Sequence, residues 1–268
     1  MHVRFALVAL ALTFASPQAT SAQDLVADHL ERLAPELHEY AAAALARIVG
    51  TDRQLLAARA YLRGHAHLAE RWAWSQAQID AYPGSPLQQR LDAAVDRVRR
   101  AFEAENPGHT LYVNPQVRSL DTQLDHWNRN ESVGLAAKFM YAVVERRVSD
   151  PDFPSVDSEG GSASFRRVVL ELEPSPTPTL AAPGLSPHGQ MHAVDFQVRA
   201  GERTVAGPSQ KEIAEVWERL GWRAKLEAAV RAGGGQFRGP LAHPYEPWHY
   251  DYHTTETEFD RRVERSTE

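Results

Sequence analysis

Residues 186–195 read Ser-Pro-His-Gly-Gln-Met-His-Ala-Val-Asp, and they lead into a segment of regular alternation. From the second histidine onwards, polar and apolar side chains alternate, which is the periodicity of a β-strand. This pattern places Ala193 and Asp195 on one face of the strand. The prolines of residues 174–187 predict an extended loop before it. The stretch therefore predicts a loop that directs His188 towards a strand of a small, mostly antiparallel sheet.

A second segment, residues 246–249, reads Glu-Pro-Trp-His. The two segments together offer the imidazoles of His188 and His249, the carboxylate of Asp195 and a spare carboxylate in Glu246. A catalytic zinc site needs three protein ligands, an open position for water and a base for the proton of that water. The ordinary alternatives are a surface histidine, an aspartate paired with an arginine, a core histidine and a surface glutamate.

The order and spacing of these residues resemble a known family. Ser-x-His-x(6)-Asp followed by Glu-Pro-Trp-His is similar to the pattern of the zinc D-alanyl-D-alanine carboxypeptidases and dipeptidases of bacterial cell walls, the VanY-like and VanX-like group. Residues 117–123, which read Val-Arg-Ser-Leu-Asp-Thr-Gln, resemble the family's Tyr-Arg-Ser-x-x-x-Gln with valine in place of tyrosine. The resemblance covers about residues 111–252. Met191 stands where the family usually has glycine, and a positive φ at that position would strain it.

The resemblance implies a zinc-dependent hydrolase of peptidoglycan stem peptides, with the α+β fold of the D-Ala-D-Ala carboxypeptidase and hedgehog-type zinc peptidases. The implied cofactor is Zn²⁺, held by His188, Asp195 and His249. Glu246 is the implied general base, which accepts a proton from the attacking water and delivers it to the leaving amine. Arg118 is implied to lie near the scissile carbonyl or the terminal carboxylate of the peptide, where a guanidinium can form paired hydrogen bonds.

Five further polar residues are candidates for supporting roles. The resemblance implies substrate contacts for Ser186 and Gln123. The strand alternation points His192 to the face opposite the aspartate of its strand, which makes it a poor candidate ligand. Asp251 and His253 share a strand face with the histidine of the second segment, so we expect them beside the ligands rather than among them.

Composition limits the classes of protein to which the chain can belong. The 268 residues are 43% hydrophobic and 24% charged, which suits one generous domain or a compact domain with a helical extension. The formal net charge is −6 and no long basic run occurs, which argues against nucleic acid as the main partner. Cysteine is absent, so thiol catalysis, thiolate metal sites and disulfides are excluded.

The first 22 residues have the pattern of a signal peptide. Arg4 precedes an apolar run at residues 5–15, and small residues follow before Gln23. A short buried helix is the alternative interpretation. No later segment has the roughly 18 continuous apolar residues of a membrane span, so the pattern predicts a periplasmic or secreted protein with no integral membrane segment after cleavage.

The remaining sequence predicts a helical region followed by an α+β region. Helical spacing and capping signals assign residues 23–105 to a helical N-terminal region. The resemblance implies that residues 106–268 form a VanY-like zinc peptidase domain. The helices expected in the first region are residues 25–48, one from Thr51 or Asp52 to 62, 67–82 and 85–105. In the second region we expect strands at residues 111–113, 167–172, 192–199 and 246–252, and helices at 119–128, 133–148, 213–220 (capped by Ser209) and 223–231.

Three functions are consistent with these patterns. The first is a D,D- or L,D-carboxypeptidase that trims stem peptides, and the second is a related zinc endopeptidase that cuts within crosslinks or stems. The third is a wall-binding protein that keeps the metal site without catalysis. Glu246 argues against the third function, because it has no ligand role to fill.

Overall fold

The computed structural model describes residues 24–233 and 235–253, so the predicted signal peptide lies outside the described residues. It confirms an α+β fold with a small antiparallel sheet. The described helices are α1 (Leu25–Leu33), α2 (Glu39–Leu45), α3 (Thr51–Gly64), α4 (Gln76–Ala81), α5 (Pro86–Glu105), α6 (Leu120–Arg129), α7 (Glu131–Val148), α8 (Gly161–Glu171) and α9 (Trp222–Gly233). The described strands are β1 (Thr110–Val113), β2 (Ala193–Ala200), β3 (Arg203–Ala206), β4 (Phe237–Arg238) and β5 (His249–Tyr252). No helix among these residues combines the length and apolar character needed to cross a membrane.

Local capping fixes several helix starts where the sequence predicts them. Ser85 caps α5 by accepting a hydrogen bond from the Gln88 amide at 3.1 Å, and Pro86 occupies the first turn. Ser119 caps α6 in the same way through the amide of Thr122. These caps confirm the predicted starts of both helices.

The sheet has the order β1-β2-β5-β4, and β3 also pairs with β2. Strands β2 and β5 are antiparallel, with Asp195 directly opposite His249 and Ala193 opposite Asp251. Directly opposed residues in a sheet project to the same face. The register of this one pair therefore brings two of the three predicted ligands together.

Two hydrophobic cores support the sheet and the helices. The first core is formed by α1–α3 with α6–α8 and the loop residues up to Leu185. The second core packs α5 and α9 against the sheet and includes Met191 and Trp248. Each core combines residues from both sides of position 105, and the predicted division into two domains at that position stays a prediction.

Several predicted elements are wrong. The expected strand at residues 167–172 is wrong, because residues 167–171 form the end of helix α8, in which Phe165 and Val169 are buried one helical turn apart. Of residues 67–82, only α4 is α-helical, and its start is fixed by a capping box between Ser75 and Gln78.

Three further differences are an interrupted helix, a replaced helix and two added strands. The expected helix from residue 25 to 48 is interrupted by a 3₁₀ turn at Ala34–Glu36, where Pro35 cannot continue the hydrogen-bond ladder. Ser209 makes no capping hydrogen bond, and a 3₁₀ turn and a π-helical segment, Ile213–Glu218, replace the expected α-helix. Strands β3 and β4 are additions that the sequence pattern did not predict.

Candidate metal centre

Three side chains converge at the centre of the sheet. His188 lies on the 3₁₀ turn Pro187–Gln190, Asp195 on β2 and His249 on β5. One ligand atom of each lies within 4.8 Å of the others, so this group could hold a metal ion. His249 Nδ1 lies 3.2 Å from Asp195 Oδ1 and 3.2 Å from His188 Nε2, and His188 Nε2 lies 3.4 Å from Asp195 Oδ1. This confirms that the three predicted ligands come together.

The environment of His188 and Asp195 favours the protonation states that metal ligands need. Burial lowers the pKa of His188, against the opposing effect of Asp195. Burial alone would raise the pKa of the Asp195 carboxyl, but hydrogen bonds to His188 and His249 outweigh it and hold that pKa well below its ordinary value. A neutral imidazole and an ionised carboxylate are the ligand forms of these side chains.

The ring of His249 is held from its far side. Its Nε2 lies 3.4 Å from Asp251 Oδ1, while its Nδ1 faces Asp195 and His188. Burial lowers the pKa of His249, but hydrogen bonds to Asp195 and Asp251 raise it overall, to about 9. A carboxylate on the second ring nitrogen fixes both the orientation and the tautomer of a ligating histidine. Asp251 therefore occupies the supporting position that the sequence predicts for it.

Glu246 lies next to the cluster without belonging to it. Its Oε2 is 3.7 Å from His249 Nδ1, and Gln210 Nε2 donates to its Oε1 at 3.2 Å. Its backbone amide bonds the carbonyl of Leu241 at 3.0 Å, and its own carbonyl accepts from the His249 amide at 3.2 Å. Burial raises the pKa of the Glu246 carboxyl. The turn before β5 thus places a carboxylate of raised proton affinity beside the three converging donors.

Arg118 contacts the cluster through Asp195. Its guanidinium donates to Asp195 Oδ2 at 3.2 Å, and its backbone amide donates to the carbonyl of His188 at 3.2 Å. An aspartate paired with an arginine was one of the ordinary alternatives to a metal ligand. Here Asp195 makes that pair and also contacts both histidines. Arg118 thereby fixes which oxygen of Asp195 faces the two imidazoles.

Gln123 connects two segments of the site. It is buried, its Nε2 donates to the carbonyl of Arg118 at 2.8 Å, and its Oε1 accepts from the amides of Gly184 at 2.9 Å and Ser186 at 3.4 Å. These bonds tie the start of α6 to the loop that carries His188. The substrate contacts expected of Gln123 and Ser186 stay predictions.

The segment before α4 supports the same loop, and the motifs gave no sign of it. The Ala73 amide donates to the carbonyl of Gly184 at 2.8 Å, and the Trp74 amide donates to the carbonyl of Gly189 at 3.0 Å. Gln190 Nε2 in turn donates to the carbonyls of Glu70 at 2.9 Å and Trp72 at 2.8 Å. The sequence offered one signal for this supporting role, which is that Gln190 directly follows His188 and Gly189.

The remaining candidates have mainly backbone roles in the described contacts. The carbonyl of His192 accepts from the Tyr252 amide at 2.8 Å, and the His253 amide donates to the carbonyl of Gln236 at 2.9 Å. Met191 is buried and has φ 54° and ψ 27°, the left-handed conformation that glycine adopts most easily. The left-handed backbone conformation expected at residue 191 is therefore present, although the residue is not glycine. The side chain of Met191 packs in the second core.

Comparison of the chain with protein-family models, with curated proteins and with solved structures found no match in any of the three. The resemblance to the cell-wall carboxypeptidases therefore rests on the residues of the three motifs alone.

Proposed function

We propose that this chain is a zinc-dependent peptidase that hydrolyses peptidoglycan stem peptides, acting as a D,D- or L,D-carboxypeptidase. The observation that carries the proposal is the convergence of His188, Asp195 and His249 with the carboxylate of Glu246 at 3.7 Å from a ligand nitrogen. Such a substrate would be met in the periplasm or at the cell surface, where the predicted signal peptide would direct the chain.

The donor set fits zinc. Two imidazole nitrogens and one carboxylate oxygen form a common three-ligand set of catalytic zinc, and they leave a fourth position for water or substrate. The buried ring of His249 is braced by Asp251, as ligating histidines commonly are. A bound zinc ion would supply Lewis acidity that activates water and polarises the peptide carbonyl.

The protein groups have separate tasks in the proposed hydrolysis. The Glu246 carboxylate accepts a proton from the water as the water oxygen bonds to the carbonyl carbon of the peptide. Glu246 then returns that proton to the amine nitrogen as the carbon–nitrogen bond breaks. Its tether to Gln210 keeps the carboxylate oriented between these two transfers. Arg118 offers five N–H donors, of which one faces Asp195, so others can stabilise the carbonyl oxygen or hold a terminal carboxylate.

The test uses synthetic stem peptides that end in D-Ala-D-Ala, incubated with the zinc-loaded protein and followed by mass. We expect release of the terminal D-alanine from the free peptide and poor cleavage of the same peptide with an amidated terminus, because Arg118 then lacks a carboxylate to bind. Equal cleavage of amidated or crosslinked peptides would favour the endopeptidase alternative. No cleavage of any stem peptide would remove the proposal.

The role of Glu246 is tested on the same peptides. Glu246→Gln should bind zinc as the wild type does but lose about 10²–10⁴-fold in kcat, because it removes the base and leaves the ligands in place. Glu202→Gln, in the exposed turn between β2 and β3, is the matched control and should keep full activity. An active Glu246→Gln variant would mean that another group moves the proton.

A further inference from the structure

A cavity of about 880 Å³ lies beside the metal centre, between the segment before α4 and the start of α6. Its volume falls within the range of small-molecule sites. The residues that line it include three aromatic and two acidic residues, Tyr40, Trp72, Trp74, Glu70 and Asp121. The three ligand residues do not line it, so the cavity is distinct from the cluster itself.

Two chain segments connect the lining of the cavity to residues of the proposed active site. Ser119 lines the cavity and directly follows Arg118, whose guanidinium contacts Asp195. Gln190 also lines it and lies two residues after His188, on the same short turn. A ligand bound in the cavity would therefore lie next to a peptide held at the metal centre.

The lining is suited to a neutral, hydroxyl-rich ligand. Among the described residues, those that line the cavity include no lysine or arginine. They present the carboxylates of Glu70 and Asp121, His192 and several hydroxyl and amide groups, and Asp121 already accepts from the guanidinium of Arg47 at 2.5 Å. This charge pattern disfavours a ligand with carboxylate or phosphate groups, and carboxylates and amides are good hydrogen-bond partners for sugar hydroxyls. Tyr40 is 45% exposed, and its ring packs beside that of buried Trp72, with centroids 5.9 Å apart, so the Tyr40 ring offers an exposed aromatic face next to the cavity.

We propose that this cavity binds the glycan of the wall polymer, one or more N-acetylated hexosamine rings, while the attached stem peptide extends to the metal centre. The proposal rests on the proposed function, because only a peptidoglycan substrate joins a sugar to such a peptide. The C–H face of a sugar ring packs against Tyr40, and its hydroxyls donate to Glu70 and Asp121. The helical N-terminal region then acts as the part of the protein that recognises the glycan.

The test measures binding of a soluble β-1,4-linked N-acetylglucosamine oligomer to the full chain by calorimetry. The oligomer has no peptide bond, so its binding is independent of hydrolysis. We expect Tyr40→Ala to weaken binding about tenfold, which corresponds to about 1.4 kcal/mol. Phe139→Ala is the matched control, because Phe139 is a similarly exposed aromatic residue on α7 that does not line the cavity, and it should bind as the wild type does.

Three results would overturn the glycan site. The first is the absence of binding at millimolar oligomer, and the second is binding that Tyr40→Ala leaves unchanged. The third is binding of the de-acetylated, cationic oligomer alone, which would identify an amine site instead. Oligomer binding that depends on Tyr40 in a protein that cleaves no stem peptide would support the glycan site and remove the proposed peptidase function. Cleavage of stem peptides without oligomer binding would do the reverse.

Discussion

Asp195 divides its carboxylate between two kinds of partner. Oδ1 lies 3.2 Å from His249 and 3.4 Å from His188, and Oδ2 lies 3.2 Å from Arg118. Burial opposes the ionisation of this carboxylate, but hydrogen bonds to His188 and His249 outweigh burial and hold its pKa well below the ordinary value. Arg118 therefore prepares Asp195 as a ligand by occupying the oxygen that does not face the histidines.

The ligand assignment predicts a specific loss of metal. His188→Ala removes one of three donors, so purified protein should contain clearly less than one zinc per chain by elemental mass spectrometry. His192→Ala is the matched control, because His192 follows closely on the same segment but does not belong to the cluster, and it should retain its zinc. Full zinc occupancy in His188→Ala would remove this histidine from the ligand set.

Met191 combines an unfavourable backbone conformation with a favourable side-chain position. Its left-handed φ of 54° costs a non-glycine residue about 1–2 kcal/mol, whereas its buried side chain contributes to the second core. Both Met191→Ala and Met191→Gly should destabilise the fold, because both lose that packing.

The order of the two variants is the informative result. Glycine normally destabilises relative to alanine, but at this φ we expect Met191→Gly to be more stable than Met191→Ala by about 1 kcal/mol. Urea denaturation of the two variants measures the difference. The control is Ala182, a buried loop residue with no positive φ. There the wild-type alanine should be at least as stable as the variant Ala182→Gly. Greater stability of Met191→Ala would argue against the left-handed backbone.

At the scale of elements, the turn that carries His188 depends on the segment before α4. Backbone hydrogen bonds join Ala73 to Gly184 and Trp74 to Gly189. A Cβ on Gly189 would lie 2.7 Å from the Cβ of Ala73 and 2.7 Å from Nε2 of Gln123, closer than atoms can pack. The turn can therefore approach its support only because residue 189 has no side chain.

Gly189→Ala should consequently displace the turn and with it His188. We expect a loss of about 1–3 kcal/mol in stability, as for overpacked cores, and a weaker affinity for zinc. Gly64→Ala is the matched control, because Gly64 ends α3 and a methyl group added there would meet nothing within 4 Å, so this variant should be neutral or slightly stabilising. Thermal unfolding with and without zinc measures both effects. Unchanged zinc affinity in Gly189→Ala would show that the turn tolerates the shift.

The elements that the sequence predicted correctly are those with strong local signals. The serine and proline at the start of α5, the alternation of β2 and the spacing of His188 and Asp195 all act within a few residues. The failures have tertiary causes. Val168 and Val169 favour a strand locally, but these residues form a helix because α8 packs against the first core. The support of the His188 turn by residues 70–74 joins segments more than 100 residues apart, which no local pattern encodes.

At the scale of the whole molecule, the turn with His188 spans the two cores. Leu185, before it, belongs to the first core, and Met191, after it, belongs to the second. The site therefore depends on both cores, although β2 and β5 supply two of the three ligands from the second core alone. Loss of stability in the first core should affect the position of His188 more than that of the other two ligands.

His29 makes the first core sensitive to acid. It is 3% exposed, its ring stacks on Phe165 with centroids 4.8 Å apart, and burial lowers its pKa against the opposing charge of Asp28. The folded protein therefore prefers the neutral imidazole, whereas the unfolded chain takes up a proton near pH 6.5. As the pH falls below that value, the unfolded state binds more protons, so the free energy of unfolding decreases until the folded pKa is reached.

His29→Phe keeps an aromatic ring at this position and removes the titration. We expect the difference in unfolding free energy between wild type and variant to shift in favour of the variant between pH 7.5 and pH 5.5, as measured by urea denaturation at each pH. Groups outside the first core, including the metal ligands, contribute equally to both proteins and cancel in this difference. A difference between wild type and His29→Phe that is constant with pH would mean that His29 does not limit the stability of the first core in acid.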